Sequence, residues 1–278
     1  MSEHDFEPHR RYLVSVAYRM LGSIAEAEDA VQDAYLRWQN VDHASVSDAR
    51  AYLGKVVTRL SLDRLKSARM QREKYVGTWL PEPIVEDAGA AAAEDVSVAL
   101  MMTLERLSPL ERAAFLLHDV FDLGYADIAS ALDRSEAACR QLAARGRTHV
   151  RENRPRFDSD RGTEQRVTEA FAVAVSTGDV TGLAAVLAED AVLYSDGGGK
   201  RSAALNPIYG RDKILRFFLA TARKGRLPTD AQVVRINGHP GFLFHRDDGV
   251  ETLALEIRHG KIVAFYGVRN PEKLRHLA

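Results

Sequence analysis

The chain has 278 residues, a net charge of −1 and one cysteine, Cys139. Its length fits two domains or three small ones, and a single thiol excludes an intramolecular disulfide and any multi-cysteine zinc site. Hydrophobic and charged fractions of 46% and 28% are those of ordinary globular protein. The opening Met-Ser-Glu-His-Asp-Phe-Glu is too acidic for a signal peptide, and no apolar run has bilayer-spanning length, so the expectation is a cytoplasmic protein without membrane attachment. Basic residues crowd into 50–74 and 134–156, and a neutral chain segregated in this way can present a phosphate-binding stripe.

Residues 5–40 predict two helices. Tyr12, Leu13, Val16, Ala17, Met20 and Leu21 recur at helical spacing up to Gly22, and Ser23 with Glu26 forms a capping-box pattern. The second helix has an apolar side (Ile24, Ala27, Val31, Ala34, Trp38) and an opposite side carrying Glu26, Asp29, Gln32, Asp33 and Arg37. A third helix is predicted over 47–75, capped by Ser47 or Asp48, with Leu53, Val57, Leu60 and Leu65 buried. Its outer face bears Arg59, Asp63, Arg64, Lys66 and Arg69. Cations toward its end complement the helix dipole and equally suit a nucleic-acid backbone.

From 76 to 97 the pattern breaks into an acidic tether with Gly77, Pro81, Pro83 and an alanine run. Twenty such residues reach roughly 70 Å when extended. Trp79 and Leu80 stand out, because apolar groups in a linker need a docking place. Helical periodicity resumes at 97–121, where Ser108-Pro109-Leu110-Glu111 is a strong helix start. A short helix, Tyr125 to Leu132, a tight turn, and a basic helix from 134 to 153 follow. Helix, short turn and basic second helix is the plan of a helix-turn-helix DNA reader. Ser135 is placed to cap the basic helix, which carries Arg134, Arg140, Arg145, Arg147 and Arg151.

The polar stretch 154–162 marks a second boundary. Helices are predicted near 163–177, 180–188 and 211–223, with strands at 191–195, 231–236, 241–244, 250–258 and 261–268. Asn237-Gly238, Asp248-Gly249 and His259-Gly260 supply hairpin turns. The expectation is an α+β domain with a meandering antiparallel sheet.

Five stretches, in order, resemble bacterial extracytoplasmic-function (ECF) sigma factors: Ala27-Glu-Asp-Ala-Val-Gln-Asp33, the run from Val57 to Arg69, Leu107-Ser-Pro-Leu-Glu-Arg112, Asp127-Ile-Ala129 and Ala138-Cys-Arg-Gln-Leu142. The resemblance implies a multidomain chain. An all-α polymerase-docking and −10-reading domain occupies 1–75, a linker 76–97, and an all-α helix-turn-helix −35 domain 98–156. A regulatory domain at 162–278 resembles the SnoaL-like α+β cone with its curved antiparallel sheet. Core RNA polymerase (the β′ clamp coiled coil and the β flap) and promoter DNA are the implied partners.

By the same resemblance Glu26, Asp29, Gln32 and Asp33 contact polymerase. Arg59, Asp63, Arg64, Lys66 and Arg69 meet the −10 element, and Arg134, Ser135, Arg140, Arg145, Arg147 and Arg151 the −35 element. Three motifs match the subgroup of ECF factors with a SnoaL-like extension: Trp79-Leu80-Pro81-Glu-Pro83, Asp196-Gly197-Gly198-Gly199-Lys200 and Asn270-Pro271-Glu272-Lys273-Leu274, the last with Glu272 where the subgroup usually has Asp. They imply an interdomain regulatory surface acting in cis. Two other readings are a plain helix-turn-helix regulator and a ligand-sensing DNA-binding protein with a C-terminal pocket around Tyr194, His239 and Arg258. An enzymatic extension would draw on these residues with Asp196 and Lys200. No catalytic constellation, cofactor or metal site is expected in the sigma-like half, and the chain as a whole is read as a non-enzyme needing no cofactor or metal.

Overall fold

The computed structural model describes residues 2–72, 74–87, 97–153, 160–224 and 230–277. Packing divides the chain into two compact units, Met1–Lys74 with Ala99–Arg154 and Tyr75–Val98 with Pro155–Ala278.

The first unit is helical. α1 (Ser2–Leu21), α2 (Ile24–Trp38) and α3 (Ala49–Arg72) pack along the apolar stripes read from the sequence, with Leu13, Val16, Ala27, Val31, Leu53 and Val57 fully buried. Ser23 Oγ accepts from Glu26 N at 3.2 Å. Of the two candidate caps for α3 it is Asp48 that acts, its Oδ1 accepting from Ala51 N at 3.0 Å. α4 (Val98–Glu105) precedes α5 (Pro109–Phe115), whose Ser108–Glu111 capping box is complete. That box holds the Glu111 carboxyl below its usual range, chiefly through the Ser108 hydrogen bond. A wide π-turn at Leu116–Val120 then leads to α6 (Tyr125–Leu132) and α7 (Glu136–Asn153). Gly146 in mid-α7 allows the close approach of α5: a Cβ there would lie 2.9 Å from Phe115 Cβ and 3.1 Å from the Glu111 carbonyl oxygen.

The second unit is α+β, as expected, with α8 (Arg161–Thr177), α9 (Val180–Val186) and α10 (Arg211–Arg223) against a seven-stranded sheet. The strands are β1 (Val85–Asp87), β2 (Leu187–Asp196), β3 (Ile208–Tyr209), β4 (Ala231–Ile236), β5 (His239–Arg246), β6 (Gly249–Arg258) and β7 (Lys261–Val268), in spatial order β1-β4-β5-β6-β7-β2-β3.

Two expectations are corrected here. The sheet is mixed, because β2 runs parallel to β7, Leu193 opposite Phe265 and Tyr194 opposite Tyr266. The helix-rich crossover between β2 and the hairpin strands makes a parallel neighbour possible, which short turns alone do not. The acidic tether also contributes an element: β1 adds to the edge of β4, Val85 opposite Ile236 and Asp87 opposite Val234. Three residues are too few for periodicity to announce a strand, and an edge row of unpaired N–H and C=O groups supplies the attraction.

One face of the sheet and the three helices enclose an aromatic core of Phe171, Phe218, Phe242 and Phe265, with Leu193, Leu255 and Ile257. Side chains alternate along a strand, so Tyr194, His239, Glu256 and Tyr266 fall on the opposite face. His239 and Pro240 open β5, which starts two residues before the strand expected at 241–244.

Candidate functional site

In the helical unit, α2 displays Asp29 and Gln32 to solvent. Asp33 is half-buried and paired: its Oδ2 accepts from Arg64 Nη2 at 2.6 Å, while Arg64 Nη1 donates to the Glu26 carbonyl at 3.0 Å. Arg64, assigned to the −10 element, and Asp33, assigned to polymerase, thus tie α3 to α2. Leu36, one turn beyond Gln32 and two beyond Asp29, is 50% exposed. An apolar residue at that spacing on an acidic face is a signal present in the sequence itself.

Arg59 is also engaged. Its Nε and Nη2 donate to the carbonyls of Ala131 (3.0 Å) and Ser130 (2.6 Å) at the C-terminal end of α6, carbonyls a helix end leaves without intrahelical partners. α3 and the helix-turn-helix therefore meet within one unit. The contact is deepened by Arg112, only 2% exposed, whose Nε donates to the Arg19 carbonyl at 2.9 Å, and by Tyr12 set edge-on against Phe121. Asp63 is exposed, and the side chains of Lys66 and Arg69 lie outside the described set.

On α7, Ser135 Oγ accepts from Ala138 N at 3.2 Å, the expected cap. Arg134, Arg140, Arg145 and Arg151 are exposed, with Arg140 meeting Glu136 at 2.8 Å and Arg145 meeting Glu111 at 3.2 Å. Such surface pairs are worth little and exchange readily for phosphate. Arg147 differs: it holds both Asp119 oxygens, at 2.6 and 2.9 Å, fastening α7 to the π-turn.

In the α+β unit the three short motifs converge on one carboxylate. Asp196 is fully buried. Its Oδ1 accepts from the Tyr75 hydroxyl and from Gly198 N, its Oδ2 from Leu80 N at 2.8 Å and from Lys273 Nζ at 2.7 Å. Lys273 also donates to the Leu80 carbonyl, and its ammonium lies 4.3 Å from the Trp79 ring centre and 4.8 Å from that of Tyr75. Asn270 Nδ2 donates to Tyr75 Oη at 2.8 Å, and its Oδ1 caps the turn at Pro271–Lys273 by accepting from Glu272 N. Lys200 pairs with Glu272, holding that carboxyl below its usual range. Burial, reinforced by the bond to Asp196, raises the Tyr75 hydroxyl pKa far above its ordinary value.

The glycine run is explained by the same cluster. Gly198 has φ +59°, and a Cβ on it would lie 2.3 Å from Asn270 Nδ2, so both backbone conformation and space require glycine. Leu80 is fully buried, whereas Pro81 and Leu274 complete the apolar surround. Tyr75 and His276, whose Nε2 meets the Pro83 carbonyl at 2.9 Å, were not read from the sequence, because neither belongs to a motif.

The three candidate pocket residues share the outer sheet face around Tyr266 and Glu256. Tyr266 donates to Glu256 at 2.6 Å, Tyr194 stacks on Tyr266, and Arg258 Nε donates to Glu256 at 2.8 Å. Burial pushes His239 down to about 4, Arg235 and Arg258 adding to the shift and Glu256 opposing it. The unfolded chain then binds the extra proton between about pH 6.5 and 4, so stability falls with acidification across that window, by about 3 kcal/mol at its end. Urea titrations of wild type and His239→Gln at pH 7 and pH 4.5 test this. The wild type is expected to lose more, and equal losses would contradict it.

Two all-helical segments with a helix-turn-helix, joined by a linker that docks on a C-terminal α+β domain, define a promoter-reading initiation factor with an added domain. Residues 6–70 match the model for Sigma-70 region 2, and residues 97–150 that for Sigma-70, region 4. The ECF RNA polymerase sigma factor SigJ of Mycobacterium tuberculosis is 38% identical over 98% of this chain and 93% of its own. A probable ECF sigma factor, SigI, of the same species is 33% identical over 99% and 97%. The crystal structure of SigJ superposes with a TM-score of 0.81 at 37% identity, covering 98% of each chain. The chain belongs to the ECF RNA polymerase sigma factors, and it directs transcription initiation through core polymerase and promoter DNA. No described helix is long and apolar enough to cross a membrane.

Proposed function

We propose that this sigma factor is regulated in cis by its C-terminal domain, which holds the interdomain linker through Asp196. The observation that carries the proposal is the convergence of Tyr75, Leu80, Gly198 and Lys273 on one buried carboxylate, together with the addition of β1 to β4. With residues 75–87 held, the length of tether outside that contact falls from about 22 residues to about 10, which lowers its maximum reach from roughly 77 Å to roughly 35 Å. Promoter elements centred near −10 and −35 are separated by about 85 Å of duplex at 3.4 Å per base pair. Arg59 packed on α6 describes a closed arrangement that must open for both elements to be read, and the held linker disfavours that opening.

In the open state Asp29, Gln32 and Leu36 would meet polymerase, α3 the −10 element, and Arg134, Arg140, Arg145 and Arg151 the −35 element. Phosphate contacts set the register, and base-edge contacts supply sequence preference. Arg59 would exchange the α6 carbonyls for DNA. Cytoplasmic action follows from that partnership. Phe171, Phe218, Phe242 and Phe265 form an apolar core between helices and sheet, which supports a structural, regulatory role for the extension.

The test is in vitro transcription with core polymerase on a promoter selected by the wild-type holoenzyme, comparing the wild-type chain with Gly198→Val. The substitution forces a side chain into Asn270 at a left-handed backbone position and should raise output several-fold. Output equal to wild type, with the linker shown to be released, would remove the proposal.

A further inference from the structure

α10 is amphipathic in an uneven way. Ile214 and Phe218 are buried in the core, while Lys213, Arg216, Arg223 and Lys224 are all exposed. At 100° per residue these four cations fall within an arc of about 100° and extend along roughly 16 Å of helix. Ala220, also exposed, lies between them on the same arc and keeps the face open. Asp212 is the one acidic residue between 211 and 224, at the edge of the stripe.

Several other cations of this unit are paired with carboxylates, though Arg166 and Lys261 meet only neutral oxygens. Arg201 and Arg269 meet Glu251, Arg235 meets Glu164, Arg258 meets Glu256, and even the neighbouring Arg211 meets Glu189 at 3.6 Å. Among the described residues, no ion pair involves Lys213, Arg216, Arg223 or Lys224. In a chain of net charge −1, four unneutralised cations on one rigid face require an explanation beyond solubility.

We propose that this stripe of α10 is a third DNA-contacting surface, binding the phosphate backbone of the promoter duplex while the chain is held on polymerase. Duplex DNA carries one charge per roughly 1.7 Å of axis, so 16 Å faces several phosphates, and contacts of this kind position a protein without reading sequence. Mixed lysine and arginine on a straight helix suit a repeating line of charge. A helix with no acidic complement on that arc offers nothing to a basic partner. The proposal stands apart from the linker contact, which involves none of these residues.

The experiment uses holoenzyme assembled from core polymerase and the full-length chain. Its affinity for a selected promoter duplex is measured between 50 and 200 mM salt, for wild type and for the fourfold variant Lys213→Gln/Arg216→Gln/Arg223→Gln/Lys224→Gln. The variant is expected to bind more weakly at low salt, with a log–log salt slope shallower by about 3 to 4, at about 0.9 per phosphate lost. A second variant, Arg216→Lys/Arg223→Lys, should retain the wild-type slope, and its failure to do so would overturn the proposal by showing that charge is not what acts. An unchanged slope in the fourfold variant would overturn it too. So would weaker binding of that variant to core polymerase without DNA, because the surface would then face protein. Wild-type holoenzyme that initiates normally while these slopes coincide refutes the α10 surface alone and leaves the regulatory reading standing.

Discussion

Asp196→Ala is expected to destabilise the C-terminal domain by about 3–5 kcal/mol and to free residues 75–87 from it. The charge partner, Lys273, would stay in a site where its side chain is only 10% exposed, and removing one member of a buried pair leaves the other uncompensated. The Leu80 N–H, on a fully buried residue, would lose its acceptor as well, at a further cost of about 1–3 kcal/mol unless water enters. The aromatic rings of Trp79 and Tyr75 over the ammonium add about 2 kcal/mol each in such a desolvated setting, but they supply no full countercharge and cannot replace the carboxylate. Asp196→Asn, which keeps one acceptor oxygen, should be milder. The double variant Asp196→Ala/Lys273→Met should be less damaging than the sum of its parts, because neither charge is then left alone. Amide hydrogen exchange over 75–87 reads the release directly, and denaturant titration reads the stability. Protection unchanged in Asp196→Ala would mean that β1 and Leu80 hold the linker without the ion pair.

Much of this architecture was legible from the chain because the signals were local. Ser108-Pro109-Leu110-Glu111 fixes a helix start by its own chemistry, and the stripes of α1, α2 and α3 follow one period. The motifs around Trp79, Asp196 and Asn270 were identifiable as a surface with a common purpose, and the odd apolar pair Trp79-Leu80 pointed to docking. What escaped was set by partners distant in sequence. Asp33 and Arg64 each read as exposed and functional on their own helix, and only the packing of α2 on α3 joins them. Arg147 reads from its own helix as a phosphate contact, and its pairing with Asp119, 28 residues earlier, has no local signal. β1 was invisible because a three-residue strand has no period, and its register comes from the free edge of β4. The parallel pairing of β2 with β7 is a matter of topology, which alternation along a single strand does not encode.

These contacts change which residues test polymerase binding. Asp33→Lys would break the bond to Arg64 and disturb the domain itself, so loss of binding there would be ambiguous. Asp29 is 76% exposed, with Arg64 no nearer than 3.8 Å, and Leu36 is half exposed. Neither holds the fold together. Asp29→Lys/Leu36→Glu is therefore expected to keep the melting temperature of the wild type and to weaken binding to core polymerase by about 100- to 1,000-fold. That range corresponds to about 2 kcal/mol for each of two central contacts. The reversal places a cation against a basic coiled coil, the partner surface that the ECF resemblance implies, and the second change removes an apolar contact while burying a charge. Initiation in vitro should fall in parallel, and raising the concentration of the variant should recover it, since the exposed arginines of α7 are untouched. Full binding by the double variant would move the docking surface off this face of α2. Weak binding that no concentration rescues would show that the same face also acts after assembly, when the duplex opens.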